Sequence, residues 1–274
     1  MIDVVIPTCD NNLRLRLVLW GLEQQTNKDF IVHVIDNSIN CATKSLIDNF
    51  TGDLQINYQV TPQHDSQYKP SYTRNIGISY CKSNRIIFIN DDTVPDSTLI
   101  DEHHKSIDTT NIVVGSCKNI QESDIKWLYA KLDRNILTYN NFNNYSQQDD
   151  YRITTKRLMK SYLALSHNFV DTYPFSNSVR NACLCDSQNI SYNSSIIKCL
   201  GGFCEFYDGW LYGEDHDLAI RAIRSDCAVV TIPNTYVYHL GHKPRAEENN
   251  EYLKELLDRT HTEPQLIRNN GPIT

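Results

Sequence analysis

Residues Gly209 to Ala222 read GWLYGEDHDLAIRA, so Glu214, Asp215, His216 and Asp217 stand side by side ahead of an amphipathic run. Carboxylates in the first turn of a helix complement its positive end, and Asp217 is spaced to pair with Arg221 one turn later. Carboxylates in a cleft can instead take a proton from a substrate hydroxyl or hold that hydroxyl in place. A second acidic stretch bears on the choice. IIFINDDTVP, Ile86 to Pro95, is an apolar run that leads into Asp91 and Asp92. Two carboxylates at a strand end can serve as oxygen ligands for a hard divalent cation, while Asn, Asp and Pro in the same place also form ordinary turns.

Such side chains need a frame to bring them together. IDVVIPT, Ile2 to Thr8, is a short β-branched run of the kind buried on both faces of a parallel sheet. Asn11 or Asn12 is placed to cap the next segment, LRLRLVLWGLEQQT, which reads as a helix with Leu15, Val18, Leu19 and Leu22 on one side. FIVHVIDNS, Phe30 to Ser38, reads as a second strand and TKSLIDNF as a second helix; LQINYQV and Arg85 to Asp91 supply further strands around the helical SYTRNIGISYC. This alternation predicts an α/β fold with a Rossmann-like, mostly parallel central sheet, flanked by helices on right-handed crossovers. Ligands of such sheets lie beyond the carboxyl ends of the strands, which here read PTCD, DNS and NDDTVP. No Gly-x-Gly-x-x-Gly follows the first strand and no phosphate-loop motif occurs, which excludes the usual dinucleotide and P-loop sites.

The 274 residues are ample for a substantial core. Lys and Arg number 26 against 33 Asp and Glu, a formal net charge of -7 without a basic cluster, which argues against a nucleic-acid partner. Nine cysteines, an odd number without zinc-ligand spacing, read as buried thiols in a reducing compartment. The opening MIDVVIPT has a strand pattern and lacks the layout of a signal peptide, and no apolar run approaches the roughly eighteen residues of a membrane span. The expectation is a cytoplasmic protein, with room for a peripheral contact to a lipid-linked substrate.

Between Ile120 and Asn181 the periodicity weakens into segments such as NNFNNYSQQDDYR, read as a surface excursion or an element over the site. Order returns with ACLCDSQNISYNSSIIKCLGGF, the acidic motif, and a strand from Cys227 to Lys243. From Glu247 the chain is charged, with a short helical pattern over Asn250 to Arg259. The expected organisation is one domain over residues 1–245, divided into halves 1–118 and 119–245, with an extension over 246–274.

VVIPTCDNN, VIDNS, RNIGISYCKSNRIIFINDDTVP, NISYNSSIIKCLGGF and GWLYGEDHDLAIRA follow one another in the order and with the spacing of a known family. The chain resembles the family 2 glycosyltransferases of the GT-A fold, including the branch related to galactosyl- and N-acetylgalactosaminyltransferases, over most of Ile2 to His239. The resemblance implies a nucleoside diphosphate sugar donor, most often a UDP-sugar. It implies that Asp36 contacts the base, that Thr8 and Asp10 meet the nucleotide, that Arg74 lies near the diphosphate and that Asp91 contacts ribose or donor sugar. Asp92 corresponds to the last residue of the family's Asp-x-Asp motif, while Asn90 stands where its first aspartate is usual. His239, with His242 as the other candidate, would complete a site for Mn²⁺ or Mg²⁺. Such an ion would let an acidic protein hold an anionic diphosphate and stabilise it as it leaves. Asp215 would be the base, Glu214 would orient the acceptor, and Trp210 would offer an apolar face to a sugar ring. One displacement with one base implies inversion at the anomeric carbon. The acceptor is left open among a glycan, a lipid-linked saccharide, a polypeptide and a small molecule, and the oligomeric state is open as well. The rival readings are a nucleotidyltransferase, which would release pyrophosphate, and a decayed GT-A sugar-binding protein, for which Asn90 speaks.

Overall fold

In the computed structural model, which describes residues 1–62, 69–148, 185–208 and 213–242, the first strand β1 (Ile2–Thr8) sends alternate side chains into two cores. Ile2, Val4 and Ile6 join a cluster with Leu15, Val18 and Leu22 of helix α1 (Asn12–Glu23), and Val5 joins the other. A strand buried on both faces needs apolar residues at successive positions, which is why this run lacks polar alternation.

The chain continues through β2 (Phe30–Asp36), α2 (Ala42–Asp48), β3 (Ile56–Val60), α3 (Pro70–Tyr80), β4 (Arg85–Phe88), β5 (Thr93–Pro95) and α4 (Leu99–Ser106). Then follow β6 (Asn111–Ile120), α5 (Glu122–Asp133), α6 (Tyr139–Tyr145), β7 (Ser146–Gln148), β8 (Ile190–Asn193), α7 (Ser194–Leu200), α8 (Glu214–Arg224) and β9 (Ala228–Leu240). The sheet order is β3-β2-β1-β4-β8-β6-β9-β5, with β7 paired to β6. β1, β2, β3 and β4 run parallel, and β8 is antiparallel to both β4 and β6. Two reversals restore the direction, so β6 and its parallel neighbour β9 end at the same edge as β1, β2 and β4. The first residues of α8 belong to this edge as well, because Ser187, just before β8, bonds Asp215. The expected mostly parallel sheet with flanking helices is therefore observed, and the antiparallel β8 joins its two halves.

Three local expectations are corrected. β4 stops at Phe88 instead of running to Asp91, because the chain turns over Asn90 to Thr93: Asn90 N donates to Thr93 Oγ1 at 3.0 Å and Thr93 N returns to Asn90 O at 3.2 Å. Asn11 occupies the cap position of α1 without capping it, because its side-chain amide is drawn to the buried Asp91 carboxylate. Of the described cysteines only Cys185 is fully buried, while Cys41 and Cys199 are exposed. The extension 246–274, with its helical pattern, lies outside the described residues.

Long-range contacts fix the helices that carry the site. α3 begins with Pro70, whose missing N–H is harmless in a first turn. The next two amides, Ser71 N and Tyr72 N, donate to the Asp208 carboxylate at 2.8 and 3.0 Å. Asp208→Ala is expected to lower stability by about 1–2 kcal/mol, read from a urea titration, through loss of this cap; an unchanged midpoint would show that water serves the amides equally well. On β6, a Cβ at Gly115 would meet the Asn189 side chain at 2.1 Å, so a larger residue there would displace the amide that bonds Ser116 O and His103.

Candidate active site

The short antiparallel pairing of β5 with β9 sets Thr93 opposite His239, and Leu240 N donates to Asp92 O at 2.8 Å. Asp92 thereby meets two histidines 147 and 150 positions away in sequence, counted from 92 to 239 and 242. Its Oδ2 lies 3.1 Å from His242 Nε2 and 3.7 Å from His239 Nε2. Both candidates from the sequence are thus present at once, and the three side chains form a group able to hold a metal ion. Burial alone would push the Asp92 carboxyl up, but the two histidines outweigh it and hold the group well below the usual carboxylate range. Asn119 Oδ1 accepts from His239 Nδ1 at 3.0 Å, which orients the ring with Nε2 on the Asp92 side. Asp92 Oδ1 is buried without a hydrogen-bond partner among the described residues. An unpaired carboxylate oxygen beside two imidazoles fits a cation of the Mn²⁺ or Mg²⁺ type. A second group, Asp3, His33 and Cys81, does not fit one as well. Its Asp3 oxygens are already spent on His33 Nε2 at 2.7 Å and on the Lys82 and Ser83 amides at 2.9 and 2.6 Å.

The acidic motif opens α8. Gly213, at φ 128°, makes the entry turn that a residue with a Cβ would adopt only under strain. Glu214 is 5% exposed and accepts from Arg74 Nη1 at 2.8 Å, while Arg74 Nη2 reaches Asn90 Oδ1 at 2.9 Å. Arg74 is therefore a buried tie between the strand end and the acidic helix, and Asn90 serves it as an acceptor. Its guanidinium also lies over the Phe203 ring, which Asn75 fixes through bonds to Phe203 N and O. Asp217 pairs with Arg221 at 2.6 Å, as the spacing predicts, and Arg221 also holds the carbonyls of Leu200 and Gly202.

Asp215 accepts from Ser187 N at 3.1 Å on Oδ2, and from His216 N at 2.8 Å on Oδ1. His216 Nδ1 lies 3.0 Å from the same Oδ1. Burial works against its charge, but His216 first, then Arg74 and the Ser187 amide, hold its carboxyl below the ordinary range. Glu214 goes the other way: burial and the Asp215 charge raise it, and Arg74 offsets only part. Burial opposes the His216 cation too, yet Asp215, Asp186 and Glu214 push it up to about 9. Neighbouring carboxylates split in this way divide the work of a proton acceptor from that of an orienting group.

At the end of β4, Asp91 accepts from Thr8 Oγ1 at 2.8 Å and Asn11 Nδ2 at 2.9 Å, which locks the first loop to the strand end. Asp36 is buried at the end of β2 and accepts from Ser38 N at 2.9 Å and Tyr58 Oη at 2.7 Å. Asp10, at φ 53°, is exposed; its amide bonds Ser38 Oγ and its carboxylate bonds Asn40. Trp210 lies outside the described residues. The structure thus joins Thr8 to Asp91, Arg74 to Glu214, and Asp92 to His239, and leaves Asp10 on the rim. Asn11, Asn119, Asp186 and Ser187 were not read from the sequence as site residues. Asn11 resembled a helix cap and DSQN a plain turn, so nothing local marked them.

A parallel sheet with a cation-type cluster at one strand end and split carboxylates on the facing helix defines an α/β transferase frame of the GT-A kind. The chain belongs to glycosyl transferase family 2, which its residues 3–166 match. It is 23% identical over 258 residues to the chondroitin synthase of Escherichia coli, an alignment covering 90% of this chain and 35% of that protein. The chain thus spans about a third of that relative's length. Among solved structures it resembles S. aureus TarS 1–349 in complex with UDP-GlcNAc, with TM-score 0.61 and 12% identity over 93% of this chain and 64% of that one. It also resembles the mannosyltransferase PcManGT from Pyrobaculum calidifontis in complex with GDP-Man and Mn²⁺, with TM-score 0.54 and 11% identity over 99% of this chain and 65% of that one. At these identities the structural likeness establishes the fold. Among the described residues no helix is long and apolar enough to cross a membrane.

Proposed function

We propose that the chain transfers a hexose or N-acetylhexosamine from a UDP-sugar to an acceptor hydroxyl, with inversion at the anomeric carbon and with a divalent cation. The observation that carries this reading is that the Asp92, His239 and His242 group and Asp215 lie at the same edge of the sheet. Asp92, His239 and His242 would hold Mn²⁺ or Mg²⁺, which when bound supplies positive charge to the diphosphate of donor and leaving group. Asp215 takes the acceptor's proton, in the charged state that a base requires. Glu214, anchored by Arg74, orients the acceptor. Thr8, Asp91, Asp36 and Asp10 line the nucleotide side. The transferase domain takes in residues 1–245, its nucleotide-sugar half 1–118 and its acceptor half 119–245. The complexes of TarS with UDP-GlcNAc and of PcManGT with GDP-Man and Mn²⁺ support a nucleotide-sugar donor.

Thermal unfolding with UDP, GDP, dTDP or CDP, each with and without Mn²⁺, tests the donor. Ligand that binds only the folded state adds about 2.7 kcal/mol at a hundredfold excess over Kd. A higher midpoint with UDP that requires Mn²⁺ is expected. A rise with another nucleotide would change the donor, and no rise with any would return the carboxylates of α8 to a helix-starting role.

A further inference from the structure

The turn Cys185–Asn189 is held from three sides. Ser187 N bonds the Asp215 carboxylate at 3.1 Å, Gly115 N donates to Asn189 O at 2.9 Å, and Asn189 Nδ2 donates to Ser116 O at 3.0 Å. Behind it, the buried His103 joins Asn189 Oδ1 and Ser191 Oγ, each at 2.7 Å. This rigid turn presents two groups that the fold does not consume. The Ser187 hydroxyl belongs to a residue only 1% exposed and has no hydrogen-bond partner among the described residues. Asp186 is half-buried, and the turn that carries it meets Asp215 through Ser187 N and meets β6 through Gln188 Oε1, which accepts from Cys117 Sγ at 3.3 Å, two residues before the Asn119 that bonds His239. Gln188 aims that carboxylate through its backbone and side-chain amides at 3.1 and 3.0 Å. A carboxylate has about four lone-pair sites, so acceptor capacity remains after both bonds.

The turn carrying Asp186 therefore runs between the group that would hold the diphosphate's cation and the base that would meet the acceptor. On the UDP-sugar reading, the donor's sugar ring lies against this turn. We infer that Asp186 and Ser187 read the hydroxyls of the donor sugar, and that Asp186 thereby selects an uncharged hexose or N-acetylhexosamine against a hexuronate. A carboxylate accepts from sugar hydroxyls, whereas a hexuronate would bring a second carboxylate into a space that already holds Asp186, Glu214, Asp215 and Asp92. The nearby cationic groups among the described residues are committed: Arg74 to Glu214, His216 to Asp215, and His239 and His242 to Asp92. This inference rests on the UDP-sugar reading above.

The test is titration calorimetry on the full chain with Mn²⁺, using UDP, UDP-GlcNAc, UDP-GalNAc, UDP-glucose, UDP-galactose and UDP-glucuronate. Wild type is expected to bind at least one uncharged UDP-sugar about ten- to a hundredfold more tightly than UDP-glucuronate, the range of a hydrogen bond to a charged group. Asp186→Asn should narrow that gap at least tenfold without changing the affinity for UDP itself. Ser187→Ala should weaken the sugar without admitting the uronate. Unchanged melting midpoints without ligand certify that both variants fold. Equal binding of UDP-glucuronate by wild type, or a gap unchanged in Asp186→Asn, would overturn the inference while leaving the donor site standing. Absence of UDP binding by wild type would instead overturn the donor reading, and this inference with it.

Discussion

Asp215→Asn is expected to lower transfer about 10²- to 10⁴-fold, the usual contribution of a positioned base, while UDP binding with Mn²⁺ stays as in wild type. Three donors, Ser187 N, His216 N and the His216 ring, converge on the Asp215 carboxylate and hold it ionised. The amide of Asn keeps an acceptor for one backbone N–H but cannot take the acceptor's proton. The loss should therefore fall on kcat, with little change in the KM for the donor. Glu214→Gln is the informative companion. Glu214 is tied to Arg74, so its loss should raise the KM for the acceptor more than it lowers kcat. If Asp215→Asn turned over normally and Glu214→Gln were dead, the two roles would have to be exchanged.

The second large effect concerns Asp92. Asp92→Ala is expected to lower activity about a thousandfold or more, because a bound cation contributes several kcal/mol of charge stabilisation and each 1.36 kcal/mol is tenfold in rate. The same variant should lose the Mn²⁺-dependent rise in melting temperature with UDP, a readout separate from turnover. Asn119→Ala should act in the same direction and more weakly. It frees the His239 ring that Asn119 orients, and outer partners of this kind typically change metal affinity by about 10–100-fold. Full activity of wild type in chelator would sink the metal reading, whatever the variants did.

Much of the frame was legible because its signals are local. β-branched runs and a helical apolar stripe depend on neighbours within a few residues, so β1, β2, α1 and the strand-end acids were readable from the chain alone. Asp92 and Asp215 stood out for the same reason, each within a short motif. Asp186 did not, since DSQN looks like any turn and its meaning comes from Asp215, 29 positions on, and His239, 53 positions on. Asp208 likewise caps α3 from 137 residues away, outside any window that a capping rule can see.

Asn90 shows the boundary most clearly. The sequence by itself determined that a neutral amide stands where the family usually has an aspartate, and could only weigh that as a missing charge. The tertiary structure decided its use: Asn90 accepts one arm of Arg74 while Glu214 takes the other, and the cation-type cluster is completed by His239 and His242. Residue type and local period set which elements form and which side chains can do chemistry. Strand pairing across long separations, here β5 against β9 and β8 between β4 and β6, sets which of them meet, because hydrogen-bond register is a property of two segments and is written in neither alone.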